Sequence, residues 1–170
     1  MFFIPGEAIS LVTFPGIIIH EFAHQISCYI CSLKVYKVCY FQFKDTAGYV
    51  NHEPAHKYWQ TLLVSSGPLI FSSLISLIFF IIALKIQSSS NLLFYWLGGS
   101  AGMQAFPSDH DAEHIWDYSK RIWKRNLFAI LGFPFVMLIK LSNMLRVVWF
   151  DLFYAIGIFY LATIFLGLPF

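Results

Sequence analysis

From Thr61 to Leu84 the chain carries no charged side chain. A run of this kind exceeds the roughly 20 apolar residues needed to cross a bilayer as a helix, and in lipid its backbone groups must bond to one another. Apolar stretches recur at about residues 7–32, 92–106, 126–141 and 147–168, and the helix that carries the charge-free run is expected to begin near Pro54 or Ala55 and continue to Leu84. Of 170 residues, 58% are hydrophobic, 19% aromatic and 12% charged, which places the chain in the membrane class rather than among soluble domains. The expected fold is all-α and polytopic, with about five transmembrane helices. It forms a single membrane domain over residues 1–170, without internal repeat, long linker or appended soluble domain.

The interruptions are as informative as the runs. Val35 to His52 is rich in β-branched and aromatic residues on either side of Lys44-Asp45-Thr46-Ala47-Gly48, which reads as a short β-hairpin at the membrane surface. Pro15-Gly16 predicts a bend in the first helix. Ser65-Ser66-Gly67-Pro68 allows close helix contact in the second, and Pro134 interrupts the fourth. Ser108 is a cap for a helix over Asp109–Arg125, whose acids come first and bases last, as the helix dipole prefers. Trp116 and Trp123 put that helix at the membrane interface. Met1 to Glu7 lacks a basic leader and runs into the first helix, so no cleaved signal peptide is expected.

Within the first span, Ala8 to Leu33, the ionisable side chains other than cysteine and tyrosine are His20, Glu21 and His24. Ionisable groups at membrane depth are costly and mark function. His20-Glu21-x-x-His24 on a helix stacks two imidazoles on one face, as a pair of zinc ligands, with Glu21 placed to take a proton from water. A catalytic zinc takes three protein ligands and keeps an open position. The extended metzincin pattern would need glycine at 27 and histidine at 30, where this chain has Ser27 and Ile30. The economical source of a third ligand is the acidic cluster Asp109, Asp111 and Glu113.

Other matches are weaker. His52-Glu53-Pro54-Ala55-His56 repeats the pattern, but Pro54 spoils the helix it requires, leaving His52 as a weak substrate-contact candidate. His110 and His114, four apart, are read as helix-surface histidines rather than a second metal site. Cys28 and Cys31 continue the apolar helix and read as packing, and three cysteines make no disulfide framework. A net charge of +2 with dispersed bases argues against nucleic acid, and the run Lys120–Arg125 suits anionic lipid headgroups.

Taken together, His20-Glu21-x-x-His24 in a membrane helix, the hairpin after it, Gly67-Pro68 in the next helix and Phe106-Pro107-Ser108-Asp109-His110-Asp111-Ala112 after the third resemble the site-2 protease family of intramembrane zinc metalloproteases, as a small member. The resemblance covers roughly residues 10–115 and implies a three-helix core over about 7–115, followed by the end of the interfacial helix and two further spans over 116–170. It implies one zinc ion held by His20, His24 and an aspartate, with Glu21 catalytic. Asp111-Ala112 occupies the family's Asp-Gly position; alignment through Phe106-Pro107-x-Asp109 makes Asp109 the alternative. The asparagine common after the family's Gly-Pro pair is absent, since Leu69, Ile70, Phe71 and Ser72 follow here. The implied activity is endoproteolysis of a membrane protein or peptide in or near a transmembrane segment. The rival reading is a zinc-binding membrane protein for transport or sensing, which has no need of Glu21.

With five spans, Lys34, Lys37, Lys44, Lys57, Lys120, Arg121, Lys124 and Arg125 share one side against Lys85, Lys140 and Arg146 on the other. This charge excess puts the N-terminus outside and the active site toward the cytoplasm.

Overall fold

A computed structural model describes residues 6–43 and 47–168. Lys44, Asp45 and Thr46 of the expected turn, and residues 1–5 of the expected uncleaved N-terminus, lie outside the described residues. The rest is mostly helical with one two-stranded hairpin: α1 (Gly6–Val12), α2 (Phe14–Ile30), β1 (Val35–Cys39), β2 (Tyr49–His52), α3 (Tyr58–Lys85), α4 (Asn91–Met103), α5 (Asp109–Ile122), α6 (Gly132–Leu145) and α7 (Phe150–Phe165).

The bend expected at Pro15-Gly16 falls slightly earlier, at Thr13, between α1 and α2. Proline is tolerated in a first helical turn, where its missing N–H has no partner to lose, so it begins α2 and disturbs the turn before it. Thr13 Oγ1 donates to Ile9 O at 2.8 Å across the break. The hairpin forms over the predicted stretch, pairing Val35 with His52 and Cys39 with Tyr49, with an irregularity between Val35 and Lys37. Helix α3 starts at Tyr58 rather than at 54 or 55. Gln60 Oε1 accepts the His56 and Lys57 N–H groups at 3.0 and 2.8 Å, and these bonds fix the start beyond the proline. Pro134 sits in the first turn of α6 and does not interrupt it, following the tighter helical turn Leu127–Leu131.

Helix α2 packs on α3 and α4, and α7 covers α3 and α4 from the other side. Gly67 lets α2 and α3 touch, since a Cβ there would lie 2.0 Å from Ser27 Oγ. Beyond that contact, small residues, some of them polar, fill much of the helix interface while many large apolar ones face outward. In α3, Ser72 and Ser76 are fully buried while Leu74 and Ile78 are 51% and 53% exposed. Small residues at helix contacts with large apolar ones outward is the arrangement a lipid-facing bundle needs. Cys28 and Cys31 are free and buried with Leu33 and Val64, in keeping with a packing role.

Among the described residues, two helical stretches are long and apolar enough to cross a membrane: Tyr58–Lys85, with mean hydropathy 2.4, and Ala129–Val148, with 1.5. Helix α7 is apolar but shorter, and α4, at 13 residues, spans about 20 Å at 1.5 Å per residue. The shortness has a topological cause. Helices α4 and α5 meet around residues 104–108, α6 and α7 meet around 146–149, and the two junctions touch. Asn143 Nδ2 donates to Asp109 Oδ1 at 2.9 Å, Arg146 Nη2 to Phe106 O at 3.5 Å, and the Phe106 ring lies 5.4 Å from Phe150 and 4.7 Å from Tyr154. Arg146, assigned by the five-span count to the side opposite the site, therefore stands beside the α4–α5 junction.

Candidate metal centre

His20 and His24 lie one turn apart on α2, with ring centroids 4.9 Å apart and planes at 72°. Asp111, in the first turn of α5, completes the group: one ligand atom from each of the three lies within 4.8 Å of the others. His24 Nε2 is 3.5 Å from Asp111 Oδ1. Such a group can hold a metal ion.

Each of the three is oriented by an irregularity in a helix. Pro68 has no N–H to offer Val64 O, four residues before it, and His24 Nδ1 takes that carbonyl at 2.9 Å. Helix α4 ends at Met103, and the carbonyl of Gln104 receives His20 Nδ1 at 2.7 Å. Both contacts fix the tautomer with hydrogen on Nδ1 and leave each Nε2 lone pair for a metal, the outer-shell arrangement typical of metal-binding histidines. Asp111 is held by the cap of α5. Its Oδ2 accepts the Ser108 N–H at 2.9 Å and the Ser108 hydroxyl at 2.6 Å, while Ser108 Oγ accepts the Asp111 N–H at 3.2 Å. Burial raises the Asp111 carboxyl, but the adjacent His24 in its protonated form, and the hydrogen bonds from that imidazolium and from Ser108, outweigh it and hold Asp111 well below the usual carboxylate range.

Glu21 is 8% exposed and lies under the closed end of the hairpin. A Cβ on Gly48 would come within 2.6 Å of Glu21 Cγ and 2.9 Å of its Oε1, so glycine at 48 lets the hairpin sit directly on the acid. The metal group and Glu21 open into a cavity of about 1350 Å³ whose wall includes Tyr49, His52, Gln104, His114 and Arg146.

The other sequence candidates are placed apart from the His20, His24 and Asp111 group. Asp109 is turned toward Asn143. His52 ends β2 with Nδ1 2.7 Å from Glu53 O and reaches the cavity wall. His56 pairs with Glu53 at 3.3 Å outside any helix, so the second His-Glu-x-x-His is split between strand and loop. His110 and His114 are exposed on α5, with Nε2 atoms 3.2 Å apart. Burial, and then His110 beside it, lower the His114 pKa from the usual imidazole range.

Sequence reasoning missed Gln104, which joins two parts of the site. Its carbonyl holds His20 while its Nε2 donates to Thr13 Oγ1 at 2.8 Å, tying the α1–α2 break to the centre. It also missed Arg146, whose Nε is 3.0 Å from Asp151 Oδ2 at the cavity edge. Compared with known proteins, the chain matches no family model, no curated protein and no solved structure.

Proposed function

We propose that this chain is an intramembrane zinc endopeptidase that hydrolyses a peptide bond in or near a transmembrane segment of a membrane protein or peptide. The observation that carries the reading is the juxtaposition of two Nδ1-anchored imidazoles, a capped carboxylate and a sheltered glutamate at one end of a large cavity. Two imidazole nitrogens and one carboxylate oxygen form the donor set of a catalytic zinc with an open position, so the residues present fit that ion. Bound there, zinc supplies Lewis-acid polarisation of the scissile carbonyl and lowers the pKa of water from about 15.7 to about 7.

The chain's own groups do the rest. Glu21 takes the proton of the attacking water and returns it to the leaving amine. Gly48 and the hairpin end exclude bulk water from Glu21. Tyr49–His52 of β2 border the cavity and offer a strand edge to an extended substrate segment, which sets a locally unwound peptide against the site. The apolar exterior suits a multi-pass protein; the interfacial bases of α5 suit anionic headgroups, with the N-terminus outside and the site toward the cytoplasm.

The test uses purified full-length protein and a fluorescence-quenched library of membrane-inserting peptides. Wild type cuts a subset of the library; Glu21→Gln retains bound zinc and cuts at least about 100-fold more slowly. Equal rates in the two proteins would overturn the mechanism, and a zinc-loaded wild type that cuts nothing would favour transport or sensing.

A further inference from the structure

The chain contains a second pair of histidines with the geometry of the first. His110 and His114 are one turn apart on α5, their ring centroids 4.5 Å apart and planes at 69°, against 4.9 Å and 72° for His20 and His24. Their Nε2 atoms approach to 3.2 Å. Two imidazole nitrogens on a tetrahedral ion, each about 2.0–2.1 Å from it, stand about 3.3 Å apart, so the pair needs almost no adjustment to chelate. Two nitrogens at this distance can otherwise share only one proton, and two protonated rings would repel.

We propose that His110 and His114 form a second, weaker site for a divalent transition-metal ion at the mouth of the cavity, whose lining both rings join. Two imidazoles favour zinc, nickel or copper over magnesium and calcium, which prefer oxygen. The pair differs from the first in its support. Among the described residues neither ring bonds a backbone carbonyl, and both are exposed. Each missing outer-shell tie weakens a metal site by about 10–100-fold, so this site fills after the first and empties before it.

The experiment is a zinc titration of the full-length, metal-stripped protein in detergent, with bound metal counted at equilibrium. Wild type takes up two ions in two steps, the second at least about 100-fold weaker. The double variant His110→Gln/His114→Gln keeps the tight step and loses the weak one. Copper added to zinc-loaded wild type gives a paramagnetic resonance spectrum with coupling to at least two imidazole nitrogens, a readout that needs no variant. Saturation of wild type at one tightly bound ion with no weak step, retention of both steps in the double variant, or oxygen-only copper coordination overturns the proposal. A chain with the weak step and no tight step would uphold this site while overturning the zinc centre.

Discussion

His24 is held by the carbonyl that Pro68 cannot bond: Val64 O lies 2.9 Å from His24 Nδ1, four residues before a proline that has no N–H. In an ordinary helix that carbonyl would be consumed within α3. Pro68→Ala returns the competing N–H. Zinc affinity should fall about tenfold, read by competition with a chelator, while α3 itself becomes easier to form. Unchanged affinity in a folded variant would separate the proline from the metal centre.

The two aspartates of α5 should respond oppositely to the same change. Asp111→Asn removes the carboxylate that faces His24, whereas Asp109→Asn alters a contact with Asn143. Zinc at 100 times its dissociation constant stabilises a site that binds only the folded state by about 2.7 kcal/mol. A zinc-dependent rise in the unfolding midpoint is expected for wild type and Asp109→Asn, and its loss for Asp111→Asn. The reverse pattern would transfer the third-ligand role to Asp109.

Gly48 offers a test of the hairpin that leaves the ligands alone. Gly48→Ala sets a methyl group against Glu21 and must displace either the acid or the strand end. Peptide cleavage should drop by about tenfold or more with bound zinc unchanged, since small misplacements of a catalytic group are costly. Measured together, rate and zinc content distinguish this from general unfolding.

Helix contact at Gly67 should show coupling rather than simple addition. Gly67→Ala collides with Ser27 Oγ and should cost about 1–3 kcal/mol. Ser27→Ala removes that oxygen, so the double variant should be more stable than the sum of the singles predicts. Additive losses in detergent unfolding would mean that α2 and α3 separate readily at this point.

Periodicity and residue chemistry made the histidine pair, the hairpin, the cap at Ser108 and the acidic cluster legible in the sequence, because each depends on side chains at fixed spacing. What holds His20 and His24 was not legible, since every residue has a carbonyl. Only Pro68, four residues after Val64, carried a trace of it. The start of α3 lies later than expected because Gln60 reaches back to the N–H groups of His56 and Lys57, a local capping contact that helix propensity does not encode. The Arg146 position was missed for a related reason. Counting charges loop by loop assumes that successive helices run from face to face, whereas the α4–α5 and α6–α7 junctions meet each other beside the site.

The ion pair of Arg146 with Asp151, together with the Arg146 contact to Phe106 O, has a bearing on how much of the chain the centre needs. Removing α6 and α7 would strip Asp109 of Asn143 and Phe106 of its aromatic neighbours, one residue pair away from the cap that aims Asp111. The last two helices thus buttress the cap that holds Asp111, and a fragment ending after α5 would carry His20, His24 and Asp111 without that wall.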